Sequence, residues 1–198
     1  MTQKTEPPRK PDGRRERTKR TRTAIVTALT GLLDQGRIEP PAAEIAVAAG
    51  VALRSIGQHF SSREELLLAV AEHNATRFPH ADYDLRASLE ERLTAFVKDR
   101  AKVLEASRPI RQAAMVVAGR SPSVDDALRR ASEGRRAVSA RVFANEIAKA
   151  ADPEATERAV ALVTSGRAWD SLRSELGLGT ASARQQLAFT LRELLVRR

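Results

Sequence analysis

Arg54, Ser55 and Gln58 lie within one short segment, and together they form a set suited to reading the edges of nucleic-acid bases. An arginine fork can donate two hydrogen bonds to guanine, and a glutamine can pair in the same two-point fashion with adenine. Ser55 can serve a base or a phosphate equally. His59 and Arg63 follow at positions suited to backbone phosphates, next to a helix start whose amide groups favour an anion. The alternatives are a histidine that braces the turn and an arginine that is simply solvated in a first helical turn. A second source of charge precedes them. Residues 1–22 hold nine Lys/Arg against three acids, a net charge of +6. Arg14, Arg15, Arg17, Lys19, Arg20 and Arg22 can neutralise phosphates, releasing counterions, or enter a minor groove as a basic arm. The alternative is a solvated tail that aids solubility. Residues 23–80 carry a net −2 and residues 81–198 a net +5, so the base-reading segment has no positive excess of its own.

Such side chains work only if a rigid scaffold projects them, and the stretch 38–68 supplies one. It reads as two short helices joined by a tight turn, followed by a sharply capped helix. Before it, residues 18–35 form a first helix with Ile25, Ala28, Leu29 and Leu32 on one face and Gly36 as its stop. Pro40 and Pro41 introduce the second helix, with Pro41 at its first position; Ile45, Ala46 and Ala49 are its inner face. Gly50 provides the left-handed residue of the turn. Val51, Ile56 and Phe60 pin the third helix. Ser61 with Glu64, or Ser62 with Glu65, makes a capping box for the fourth, which buries Leu66, Leu67, Ala69 and Val70. Five further helices are expected near 84–107, 109–118, 122–150, 153–177 and 181–197, with Pro, Gly and Asp as separators.

Ile45-Ala46, Ala49-Gly50-Val51, Ser55-Ile56, His59-Phe60 and Ser62-Arg63-Glu64 with Leu66 resemble the pattern of TetR-family bacterial transcriptional regulators. The likeness covers about residues 20–70; Trp169-Asp170-Ser171-Leu172-Arg173 through Leu178-Gly179 adds a weaker echo. Three positions depart from it. Pro41 stands where the family has a capping Thr or Ser that meets a phosphate, Gly57 where it has a Tyr, and Leu53 where it often has Lys or Pro. Glycine inside a helix costs about 1 kcal/mol relative to alanine, so the recognition helix is expected to be looser and the head poorer in backbone contacts. The basic arm is then the candidate to compensate.

The expected fold is all-α, with about nine helices read from periodicity. A disordered basic arm spans 1–17, a three-helix helix-turn-helix DNA-binding unit 18–66, and a larger helical bundle 67–198. Hydrophobic residues make up 42% of the 198 and aromatics 4%, so the core is aliphatic. The absence of cysteine excludes disulfides and thiolate metal sites. No apolar run approaches the ~20 residues that cross a bilayer, and no signal-peptide core is present. A cytoplasmic protein without membrane contact is expected. His59, His73 and His80 have no metal-ligand spacing, and no phosphate loop or nucleophile elbow occurs. Neither a metal, a cofactor nor catalysis is expected.

What the resemblance implies is a sequence-specific DNA-binding regulator, commonly a repressor. It would bind a palindromic double-stranded operator and be released by a small-molecule effector held in the body. It would pair as a homodimer through its last two long helices. The residues permit the pairing. The 153–177 segment has Ala159, Leu162, Gly166, Trp169 and Leu172 on one side and Ala161, Val163, Ser165 and Ala168 on another, so it needs two apolar partners. The last helix carries Leu187, Phe189, Leu191, Leu194 and Leu195. For the effector, Phe96, Met115, Phe143 and Trp169 are candidate pocket walls, with core packing as the alternative. Arg100, beside the stripe Leu89, Leu93, Phe96 and Leu104, either receives an acidic ligand or pairs with an acid of the protein. Different classes remain open at this point: a ligand-independent architectural DNA-binding protein, or a small helical enzyme.

Overall fold

The computed structural model describes residues 13–78 and 81–196. Among them the chain is all helical, with eleven α-helices, α1 to α11, and one π-helical turn. Two compact units divide inside a helix, between Val70 and Ala71.

The first unit is built on α1 (Gly13–Asp34), which lays Ile25, Val26, Leu29, Leu32 and Leu33 inward. This helix begins earlier than the sequence pattern predicts. Residues 13–17, expected in a disordered arm, form its first turns; residues 1–12 of that arm lie outside the described residues. The helix stops at Gly36, where φ is +84° and the Gly36 and Arg37 amides return to the carbonyls of Leu33 and Leu32, a glycine-dependent left-handed stop. Next comes α2 (Ala42–Ala49). Pro41 occupies its N-cap rather than its first helical position, and makes no side-chain cap. Ile45 and Ala46 of α2 meet the α1 stripe in the core with Phe60, Leu66, Leu67 and Val70. Gly50 turns the chain at φ 65°, ψ 34°, and the Val51 amide donates to Ala46 O at 3.0 Å. After it, α3 (Leu53–His59) has no fully buried residue. The fourth helix, α4 (Arg63–Arg77), is capped in a variant of the expected box. Ser62 Oγ accepts from the Glu65 amide at 3.2 Å, while the Glu65 carboxylate accepts from Ser61 N and Oγ, each at 2.8 Å.

In the second unit α5 (Leu89–Ala106) lies at the centre, its start fixed by a full capping box between Ser88 and Glu91. Further on are α6 (Arg108–Val117), α7 (Pro122–Val142), α8 (Ala144–Ala148), α9 (Pro153–Val163), α10 (Gly166–Asp170), the π turn Ser171–Glu175 and α11 (Thr180–Val196). Leu93, Phe96, Val97 and Leu104 of α5 pack with Phe143, Val160, Trp169, Leu187 and Leu191 in one core. Two breaks separate this arrangement from the nine-helix expectation. The helix read over 122–150 is interrupted at Phe143 (φ −113°, ψ 21°), whose ring meets Phe96 edge-on with centroids 5.0 Å apart. The helix read over 153–177 stops at Thr164. Its hydroxyl bonds back to Val160 O at 2.8 Å, and Ser165 turns extended and caps α10 by accepting from Ala168 N at 3.1 Å. Ser and Thr compete for backbone groups in this way and favour caps over helix interiors. Leu162, on one of the two apolar sides read for this segment, is 68% exposed.

One guanidinium stitches the α7–α8 corner to α5. Buried Arg92 donates to Ala87 O at 3.1 Å, to Val142 O at 2.5 Å and to both Glu146 oxygens at 2.5 and 3.0 Å. Those bonds hold the Glu146 carboxyl below its ordinary value.

Candidate nucleic-acid interface

A helix pair that crosses at a Gly turn buries what faces its neighbours and offers the remainder to solvent. On α3 the exposed side chains are Leu53, Arg54, Gly57 and Gln58, with Ser55 and His59 half-buried. Positions 54, 57 and 58 share one face by helical spacing, so Arg54 and Gln58 stand side by side. Leu53 is 55% exposed at the helix start, and Val47 of α2 is 83% exposed. An apolar side chain beside an arginine fork and a glutamine amide is a surface that can meet thymine methyls and purine edges together. Gly57 sits between them with nothing within 4 Å of where a Cβ would be. It leaves a gap where the resemblance implies a tyrosine.

Two arginines predicted to contact nucleic acid make hydrogen bonds inside the unit. Arg22 donates to His59 O at 2.5 Å, pairs with Glu65 at 3.3 Å and lies 4.1 Å over the Phe60 ring. It clamps α1 to the end of α3 and the start of α4. Arg63 donates to Pro40 O at 2.9 Å and Ile38 O at 3.3 Å, fixing the loop that enters α2. Both guanidiniums hold the scaffold under α3. Spacing alone did not reveal this, because a long side chain's destination is set by elements far away in sequence. The pairing of Arg22 with Glu65 is matched by a Glu65 carboxyl held below its ordinary value, chiefly by the Ser61 amide and hydroxyl, with Arg22 adding to it.

Arg14, Arg15, Arg17, Lys19 and Arg20 are exposed along the first turns of α1, with Arg20 3.7 Å from Glu16. They lie all around the first turns of a helix.

In the second unit the expected pocket walls separate. Phe96, Phe143 and Trp169 are 0%, 0% and 1% exposed and belong to the packed core. Trp169 Nε1 donates to Glu105 at 2.8 Å. Met115 is 48% exposed, because α6 turns Ile110, Ala113 and Ala114 inward and leaves Met115 outside. Arg100 is 5% exposed, lies 4.8 Å over the Phe96 ring and donates to Arg135 O at 3.0 Å. Among the described residues no cluster of metal-ligating side chains occurs, and no helix is long and apolar enough to cross a membrane.

No family model and no curated protein matches the sequence. Solved structures match its shape. A transcriptional regulator from a Rhodococcus species superposes with a TM-score of 0.63 at 19% identity, over 90% of this chain and 96% of its own. A TetR transcription regulator from Haloarcula marismortui gives 0.67 at 17% identity, over 91% and 97%. A protein described as a TetR-family transcriptional regulator from Mesorhizobium loti gives 0.58 at 16%, over 91% and 97%. With a Gly50-turned helix pair ahead of an all-helical body, and coverage nearly complete on both sides, the chain has the fold of the TetR-family transcriptional regulators.

Proposed function

We propose that this protein is a sequence-specific DNA-binding transcriptional regulator, a homodimeric repressor released from its operator by a small-molecule effector. The observation that carries the reading is the outer face of α3. Arg54 and Gln58 are exposed together on a helix that buries none of its residues fully, on a base braced from behind by Arg22 and Arg63. Arg54 and Gln58 are the base readers, Leu53 and Ser55 adjoin them, and the basic first turns of α1 supply salt-dependent affinity. Pairing is supported by the apolar side chains that the second unit leaves in solvent: Leu162 at 68%, Leu176 at 65% and Phe189 at 57% exposed. Two subunits would set two α3 helices into half-sites about one DNA turn, ~34 Å, apart. Effector and DNA would each weaken the other's binding by the same factor.

Footprinting on the DNA upstream of the protein's own gene, with and without candidate metabolites, tests the reading directly. Arg54→Ala is expected to cost about 1–3 kcal/mol at one base position without lowering Tm. Arg63→Ala is expected to lower Tm, because it frees the Ile38 and Pro40 carbonyls. Equal loss of affinity on all sequences in Arg54→Ala, or no protected inverted repeat, overturns it.

A further inference from the structure

The interior of the second unit holds more positive charge than its own acids satisfy. Asp170 receives Arg111 at 2.8 and 3.4 Å and lies 3.5 Å from Arg108 Nε. Arg111 also donates to Ser107 Oγ and Leu104 O. Glu105 is taken by Trp169 and Arg173, and Asp99 accepts from the Tyr83 hydroxyl at 2.7 Å. Two guanidinium nitrogens are buried without a hydrogen-bond partner, Arg108 Nε and Arg135 Nε. Arg108 has Asp170 3.5 Å away; among the described residues no carboxylate pairs with Arg135. Its own carbonyl is occupied by the guanidinium of Arg100. Desolvation and the nearby charges of Arg111 and Arg100 pull its pKa down to about 10, still charged at neutral pH. A buried charge is tolerated when paired, and an orphaned polar atom in a folded core calls for an explanation. As a residue Arg135 is half-buried.

We propose that Arg135, backed by the charges of Arg100 and Arg111, is the anion-binding end of the effector site and takes the carboxylate or phosphoryl oxygens of a small molecule. This rests on the effector-controlled reading above and adds the chemical class. A planar guanidinium fork matches two oxygens of either group, and a ligand anion would give Arg135 the counter-charge that Asp170, Glu105 and Asp99 give to the other arginines.

The test uses the full-length protein without DNA, in calorimetry and thermal melts, with inorganic phosphate and octanoate as separate probes against chloride at equal ionic strength. One probe is expected to raise Tm by about 3 °C at ten times its Kd, and which one does so separates phosphoryl from carboxylate. Arg135→Gln is expected to abolish that rise while melting, without ligand, no lower than the parent. Arg184→Gln, on the exposed side of α11, is expected to keep it. No stabilisation by either anion beyond chloride overturns the proposal. So does equal stabilisation of Arg135→Gln, or a ligand-free Arg135→Gln that is less stable or fails to fold. DNA affinity of the parent, measured separately, bears on the regulator reading alone.

Discussion

Gly166→Ala tests how tightly the charged interior of the second unit is built. A Cβ on Gly166 would sit 2.6 Å from Arg111 Nε, 2.8 Å from its Cδ and 3.2 Å from its Cζ. Ordinary contact begins near 3.4 Å, so the side chain must retreat by roughly 0.8 Å, the difference from the nearest of these distances. The end of a free arginine would move cheaply. This one is held at four points, by both oxygens of Asp170, by Ser107 Oγ and by Leu104 O, and its side chain is only 11% exposed. Retreat lengthens several of those bonds at once, and a hydrogen bond to a charged group contributes about 1.5–3 kcal/mol. Alanine's better helix propensity recovers at most about 1 kcal/mol. A net loss of about 1–3 kcal/mol is expected, a fall in Tm of roughly 3–10 °C for a unit of this size. Thermal melts of the single variants and of Gly166→Ala in an Arg111→Leu background check the cause. Once the guanidinium is gone the alanine should be neutral or favourable, giving a coupling of about 1–3 kcal/mol. A Gly166→Ala protein as stable as the parent, or equal losses in both backgrounds, would refute the reasoning.

Gly57→Ala should raise the melting temperature of the first unit by about 4–8 °C, because an added methyl meets nothing and gains about 1 kcal/mol of helix propensity; differential scanning calorimetry reads it. Replacing Arg14, Arg15 and Arg17 together by Gln should flatten the slope of log K against log salt by about 0.9 for each phosphate no longer neutralised, and an unchanged slope in fluorescence-anisotropy titrations removes these basic turns from DNA binding. Glu146 is held below the ordinary value of 4.5 chiefly by its hydrogen bonds to Arg92. Its contribution is therefore present above pH 4.5 and lost as pH falls through the lowered value. Glu146→Gln should cost about 3 kcal/mol at neutral pH and leave a shallower decline of Tm as pH falls below 4.5.

The helix-turn-helix was legible because its signals are local. Gly36, Gly50 and the Ser61-Ser62 cap each specify a backbone shape within a few residues, and Ile25, Leu29, Ile45, Ala46 and Phe60 fall into the core that their spacing predicts. The divided helices were harder to see. Thr164-Ser165 can sit inside a helix or end one, and here Val160 and Trp169, on either side of the break, both enter the core. Met115 was a different case: Ile110, Ala113 and Ala114 of α6 have the helical spacing of one buried face, and Met115 falls outside it. The arginines resisted reading most. Arg22, Arg63, Arg111 and Arg135 are alike in type and differ wholly in partner, and a partner up to 59 residues away leaves no trace in spacing.

A helix with no fully buried side chain separates two demands that usually conflict. The residues facing outward on α3 contribute almost nothing to folding, so they can be exchanged singly without endangering the molecule. The outward face of α3 is then open to change in small mutational steps, while Ile56, Phe60 and the two clamping arginines carry the architecture unchanged.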